Sequence, residues 1–196
     1  MYNRSMGKVN IDKNIVLVKD IITQEESDSL ISLIENATEE EWRGYQNDVE
    51  LNGIQINAAY GSWKTQMLNL EFAPNLLDKV RPLLDDIQER CNREIKDNYG
   101  KDYIVDNLYS IYRFQEGDMM HEHHDSGLSP KIKNGVVIYL NDDFEGGQIY
   151  YPKVKIEVKP VANALLIHPA NMIYRHGVKP VTSGTRYSLA GFARIL

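Results

Sequence analysis

The stretch His-Glu-His-His-Asp-Ser-Gly at residues 121–127 gathers three of the chain's five histidines and two carboxylates into five consecutive positions. Imidazole nitrogens and carboxylate oxygens at this density are a donor set suited to a first-row divalent metal. The plain alternative is a solvated polar turn, so spacing has to decide between them.

Three metal spacings compete for these residues. The helical zinc-hydrolase motif H-E-x-x-H would need a histidine at 125, where the chain has Asp125. The flanking Gly117-Asp118 and Ser126-Gly127 would also break the helix that puts both ligands on one face. A cupin-type site would use His121 and His123 as an H-x-H pair, but no glutamate follows within the next several residues. The third spacing is H-x-D, His123 and Asp125, two apart on a strand so that both side chains share a face while His124 points the other way. With one distant histidine they would make the facial triad of non-haem Fe(II). Taken alone the match is weak, since roughly 0.7 such H-x-[DE] pairs are expected by chance in a chain of this composition.

The second half of the chain supplies more. The run "YRHGVKPVTSGTRYSLAGFARI" offers His176 as a third ligand and Arg186 ten residues later. In a strand, turn, strand hairpin that spacing can bring both side chains into one pocket. An octahedral iron with three protein ligands keeps three positions open, enough for a bidentate 2-oxo acid and O2. The far carboxylate of that acid then needs a buried cation, and the forked guanidinium suits it. The competing readings are a satisfied polar cluster for His123, Asp125 and His176, and a surface salt bridge for Arg186.

The elements that must position these groups are legible in outline. Residues 15–21, "IVLVKDI", read as a strand, and Thr23 with Glu26 has capping-box spacing, so a helix should begin near Gln24. Leu76, Leu77, Val80, Leu84, Ile87, Cys91 and Ile95 recur at steps of three and four, one apolar stripe of a second helix lying on a sheet. Pro82 should mark the start of that helix or a kink. From about residue 103 the pattern becomes short β-type runs between turn signals: "NLYSIYRF", "GVVIYLN", "GQIYYP", "KIEVKP", "ALLIHP", "RHGVKPV" and "RYSLAGFARI". Helices first and strands after imply an α+β, mainly β fold, an antiparallel double sheet buttressed by N-terminal helices.

At 196 residues and 42% hydrophobic content, one domain is expected over 1–196, helix-rich to about 100 and β from about 103. No apolar run could span a bilayer and no secretory leader is evident, so a soluble, cytoplasmic protein without membrane partners is expected. A single cysteine, Cys91, fits a reducing compartment, where ferrous iron is available, and reads as a core residue. The net charge of −6 with scattered lysines and arginines gives no support for nucleic acid binding.

Several stretches in order resemble one family: "KDIITQEESDSLISLI", "YRFQEGDMMHEHHD", "VIYLNDDFEGGQIYYP", "VKPVANALLIHP" and "HGVKPVTSGTRYSLAGF". The chain is similar to the Fe(II)- and 2-oxoglutarate-dependent oxygenases, prolyl 4-hydroxylase-like branch. The resemblance implies a double-stranded β-helix (jelly roll) core. It also implies His123, Asp125 and His176 as Fe(II) ligands and Arg186 as the partner of the 2-oxoglutarate carboxylate. It matches Tyr139 to a tyrosine that bonds the same carboxylate in some relatives, and Tyr112 to a strand tyrosine before the glycine turn. Its chemistry is oxidative decarboxylation of 2-oxoglutarate with O2 to succinate and CO2, coupled to hydroxylation of a C–H bond, with ascorbate as a candidate reductant. The implied substrate is a prolyl residue in a peptide or protein. A free amino acid or small metabolite, a nucleobase, or a non-catalytic binding module are the alternatives. Gln148 replaces the glutamate of a Gly-Gly-Glu segment, and His168 stands where an apolar aromatic is commoner. Residues 42–66, with Trp42 and Trp63, are the candidate substrate-covering region.

Overall fold

The computed structural model describes residues 7–39, 41–44, 48–51, 54–57, 65–100 and 102–196. The chain opens with strands β1 (Lys8–Asn10) and β2 (Val16–Val18), followed by helix α1 (Gln24–Glu35). Strands β3 (Arg43–Gly44), β4 (Asp48–Leu51), β5 (Ile54–Asn57) and β6 (Gln66–Asn69) lead into α2 (Pro74–Tyr99). Then come β7 (Tyr103–Phe114), β8 (Met120–His123), β9 (Ile132–Tyr139), β10 (Glu145–Gly146) and β11 (Ile149–Tyr151). The last strands are β12 (Ile156–Val158), β13 (Leu165–Pro169), β14 (His176–Val178), β15 (Val181–Ser183) and β16 (Arg186–Ile195).

These strands form an eight-stranded major sheet in the order β1-β2-β13-β9-β16-β7-β6-β3 and a four-stranded minor sheet in the order β12-β11-β14-β8. Strands β10 and β15 pair separately, as do β4 and β5. The antiparallel double sheet expected from the run of short strands is therefore present, and it is the jelly roll that the resemblance implies. The N-terminal part is not purely helical, since β1, β2, β6 and β3 extend both edges of the major sheet. Among the described residues no helix is long and apolar enough to cross a membrane.

Strand alternation divides the core in two. On β9, β13 and β16 the residues Val136, Ile138, Leu165, Ile167 and Leu189 face the helices, where they pack with Val80, Leu84, Ile87, Cys91 and Ile95 of α2. Tyr139 and Leu166, of the opposite parity, face the space between the sheets with Phe114, Ile149, Tyr151 and Val178. All seven residues of the predicted apolar stripe on α2 are buried. Pro82 does not start that helix: Pro74 occupies its first turn, where a missing N–H costs nothing, and Pro82 lies inside on the exposed face. The carbonyl it leaves unpaired there can turn to water.

α1 begins as its sequence predicts. The Thr23 hydroxyl accepts from the Glu26 N–H at 3.2 Å, and the Glu26 carboxylate accepts from the Thr23 N–H at 2.8 Å. The same carboxylate takes two hydrogen bonds from Arg90 of α2, at 2.8 and 3.0 Å, and Arg90 also donates to the Ile21 carbonyl at 2.6 Å. One glutamate thus closes the cap and locks both helices together. Burial alone would raise the Glu26 carboxyl, but Arg90 and the Thr23 N–H outweigh it and hold it below the ordinary carboxylate value. A lowered folded-state pKa contributes stability above the unfolded value that is lost as pH falls through the acid range. Replacing Glu26 with alanine should cost about 2 kcal/mol at neutral pH. In chemical denaturation of wild type and Glu26→Ala, that gap should narrow as pH is lowered from 7 toward 3.

Candidate active site

The minor sheet sets the first two donors. β14 pairs with β8 in a register that puts His176 directly opposite His123, with ring centroids 4.4 Å apart. Each Nδ1 faces a backbone carbonyl two residues back: His123 that of His121 at 2.9 Å, His176 that of Tyr174 at 3.1 Å. A carbonyl only accepts, so each Nδ1 carries the proton and each Nε2 presents a lone pair. Burial, and for His123 also the neighbouring His176, lowers both imidazoles to about 4, so both are neutral at physiological pH.

The carboxylate arrives differently from the sequence expectation. Asp125 is not on a strand: β8 ends at His123, His124 is still extended, and Asp125 opens a 3-10 turn to Gly127. The extended geometry at His124 keeps Asp125 on the side of His123, while the His124 ring pairs through Nδ1 with the Ser126 hydroxyl at 3.0 Å. Asp125 Oδ1 lies 3.5 Å from His123 Nε2 and 3.9 Å from His176 Nε2, and one donor atom from each residue falls within 4.8 Å of the others. Burial lifts the Asp125 carboxyl to about 6 against the pull of His123 and His124. Two neutral imidazoles and a carboxylate that burial discourages from ionising are completed by a divalent cation, which would hold Asp125 charged. This donor set therefore fits Fe(II).

A missing side chain makes room for it. A Cβ at Gly135 on β9 would fall 2.6 Å from the His168 ring and 2.7 Å from Asp125 Oδ2. His168 pairs with Gly135 across β13 and β9 and stacks edge-on against His176, with centroids 4.3 Å apart. Its ring thus keeps the packing role of the aromatic residue the resemblance calls for, although its buried Nδ1 has no partner among the described residues.

The opposite wall comes from the major sheet. Arg186 opens β16, pairs with Phe114 of β7, and is 1% exposed. The expected hairpin with His176 does not form, because β14 and β16 belong to different sheets. The two side chains meet instead across the space between the sheets, on one cavity of about 340 Å³ that is also lined by His123, Asp125 and Tyr112. Among the described residues Arg186 has no ion pair. Its guanidinium lies 4.6 Å from the Phe114 ring centroid and 5.3 Å from that of Tyr139, and its stem crosses Gly147, where a Cβ would come within 2.9 Å. Arg186 Nε makes no hydrogen bond with any described residue, and the buried Tyr139 hydroxyl interacts with the same guanidinium. Burial lowers the guanidinium pKa, with Tyr139 opposing, and pushes the Tyr139 hydroxyl up to about 12. A buried guanidinium that faces a cavity with no carboxylate partner among the described residues calls for a carboxylate from outside.

Tyr174 is a residue that sequence reasoning missed. It accepts from Asn14 Nδ2 at 2.6 Å and donates to Asp12 Oδ2 at 3.1 Å, so the turn that delivers His176 is fastened to the N-terminal loop. Only its position two residues before His176 hints at this. Trp42 is core, with Arg113 over its ring at 4.3 Å, whereas Trp63 and most of 45–64 lie outside the described residues. The Gly135→Ala variant should keep the native far-UV spectrum but lose about tenfold or more in divalent-metal affinity, measured by competition with a chromophoric chelator.

The profile of the 2OG-Fe(II) oxygenase superfamily matches residues 109–194. No curated protein matches the chain by sequence. Many solved structures share its fold. The viral collagen prolyl hydroxylase of Paramecium Bursaria Chlorella virus-1, in its 2OG complex, is 15% identical, with TM-score 0.62 over 93% of this chain and 96% of that one. A Pseudomonas putida prolyl-4-hydroxylase is 17% identical, with TM-score 0.62 over 93% of each chain. A Trichoplax adhaerens prolyl hydroxylase, in complex with a hypoxia inducible factor peptide fragment, is 16% identical, with TM-score 0.63 over 93% of this chain and 84% of that one. The span that matches the superfamily profile, residues 109–194, holds His123, Asp125, His176, Arg186, Tyr139 and Tyr112.

Proposed function

We propose that this oxygenase hydroxylates a prolyl residue in a peptide or protein. His123 Nε2, Asp125 Oδ1 and His176 Nε2 hold Fe(II), Arg186 receives the far carboxylate of 2-oxoglutarate, and the Tyr139 hydroxyl adds a donor beside it. Tyr112 bounds the same cavity from β7. Iron and 2-oxoglutarate, when bound, supply O2 activation and the decarboxylation to succinate and CO2 that drives C–H hydroxylation. The protein's part is positional. The Nδ1 protons anchored on the carbonyls of His121 and Tyr174 fix the donor directions. Val178, Ile149, Met120 and Phe114 line the cavity with apolar surface that excludes water from the reacting centre.

The observation that carries the oxidative reading is the buried Arg186, without an ion pair among the described residues, sharing one cavity with the three convergent donors. The prolyl choice is supported by the three prolyl hydroxylases of this fold, one of them in complex with a peptide.

Anaerobic addition of Fe(II) and then 2-oxoglutarate to the purified protein should produce the weak visible charge-transfer band of a chelated 2-oxo acid. His176→Ala should abolish it. Arg186→Met should keep Fe(II) binding but raise the 2-oxoglutarate needed for the band by roughly thirtyfold, about 2 kcal/mol, as expected for a truncated buried charge pair. In air, with ascorbate as reductant, proline-containing peptides should gain the mass of one oxygen in step with succinate release. Succinate release stimulated by a free amino acid or by single-stranded DNA, and by no peptide, would overturn the prolyl reading and leave the cofactor assignment intact.

A further inference from the structure

Among the described residues the exposed large hydrophobic side chains are Val9, Leu128, Met172, Ile173, Ile195 and Leu196. Val9 lies on the edge strand β1, and Ile195 and Leu196 are the last two residues. The other three are 67%, 45% and 60% exposed in order, and all sit on two turns: Asp125–Gly127, which Leu128 follows, and Met172–Tyr174. Single exposed apolar residues are ordinary, but their concentration at one place is informative.

The two turns are neighbours that bracket the triad. The Ser126 N–H donates to the Ala170 carbonyl at 3.0 Å, and the Ala170 N–H donates to the Lys133 carbonyl at 2.9 Å. The first turn opens with Asp125; the second closes two residues before His176. Leu128 also lines the cavity. The second turn is held in place, since the Asn171 side chain accepts from the Ile173 N–H at 2.9 Å and Tyr174 is fastened to Asp12 and Asn14. Met172 and Ile173 are therefore presented on a fixed surface, which lowers the entropic cost of anything binding there.

The size of the cavity says what meets this surface. About 340 Å³ must accept a five-carbon 2-oxo acid and the reacting part of the substrate. A residue inside a longer chain would leave its neighbours at the mouth, against side chains that carry no charge. We infer that Leu128, Met172 and Ile173 form an apolar docking rim that seats a hydrophobic side chain flanking the hydroxylated residue of a peptide substrate. The inference rests on the peptide-hydroxylase reading and adds a sequence preference to it.

The test uses the full chain loaded with Fe(II) and 2-oxoglutarate, and a set of proline-centred peptides that differ only in having leucine or serine at the positions flanking proline. Product is read by mass spectrometry for wild type, Leu128→Ser and Met172→Ser/Ile173→Ser, with thermal melting and the charge-transfer band confirming that each variant is folded and loaded. The wild type should show a KM about ten- to a hundredfold lower for the best leucine-flanked peptide than for its serine counterpart, the effect expected of burying part or all of one aliphatic side chain. Both variants should erase most of that difference through KM, with kcat at saturating peptide moving far less. Peptides hydroxylated without flank preference, or a preference that survives both variants, would overturn the docking rim and leave the prolyl reading standing. Succinate release with no peptide hydroxylated would overturn both. A flank preference intact in a variant that has changed from dimer to monomer in sedimentation would make the patch a contact between copies instead.

Discussion

The antiparallel pairing of β14 with β8 governs the site, because it places His176 opposite His123. Residues directly opposite in such a pair have their Cβ atoms about 5 Å apart, so strand register alone sets the separation of the two imidazole donors. A slip of one residue would turn one ring to the far face of the sheet. That register is secured from both sides. β14 is also paired with β11, Ile149 opposite Val178 and Tyr150 opposite Gly177, and the turn before it is fastened through Tyr174 to the loop after β1. The same backbone supplies the carbonyls that fix each imidazole tautomer. Geometry and protonation of the donors thus follow from one local structure, on an element stiffened by neighbours.

Two opposite charges are then placed where burial penalises them. Asp125 sits in the turn after β8 of the minor sheet and Arg186 opens β16 of the major sheet, and neither is the other's ion-pair partner among the described residues. An interior built for stability alone would bring them together or replace both with aliphatic groups, since an isolated buried charge costs several kcal/mol. Instead both line the one cavity, where a cation beside Asp125 and an anion beside Arg186 would offset the cost of burial. Ligands that engage these charges only in the native state also shift the folding equilibrium toward it. The frame that tolerates the arrangement lies on the far side of the major sheet, where the α2 stripe packs on Val136, Ile138 and Leu189. Stability is concentrated in one layer and polar demand in the other.

This layering explains which features could be read from the sequence. The α1 cap and the α2 stripe rest on residues three or four apart, and the structure reproduces Thr23, Glu26 and all seven stripe positions. The strands of the second half were legible for the same local reason. Their partners were not, because alternation within a strand says nothing of which strand lies beside it. Hence Arg186 and His176 look like two arms of a hairpin but come from facing sheets, and Asp125 looks like a strand residue but sits in a turn. Pro82 misleads because its local signal is strong, while Pro74 and tertiary packing set the helix. Gly135 carried no signal at all, since its role is to be absent where His168 and Asp125 meet across strands far apart in sequence.

The same separation of scales bears on how the site can change. The donors, Gly135 and Arg186 are each constrained by several neighbours in a packed interior, where added volume or a lost partner is felt at once. Leu128, Met172 and Ile173 stand on turns, mostly in solvent, and support little of either core. Substitutions there alter what the mouth of the cavity offers without disturbing what holds the metal donors in place. The two scales meet in the Asp125–Gly127 turn, which carries the buried Asp125 at one end and is followed by the exposed Leu128 at the other, so one short segment joins the packed interior to the mouth of the cavity.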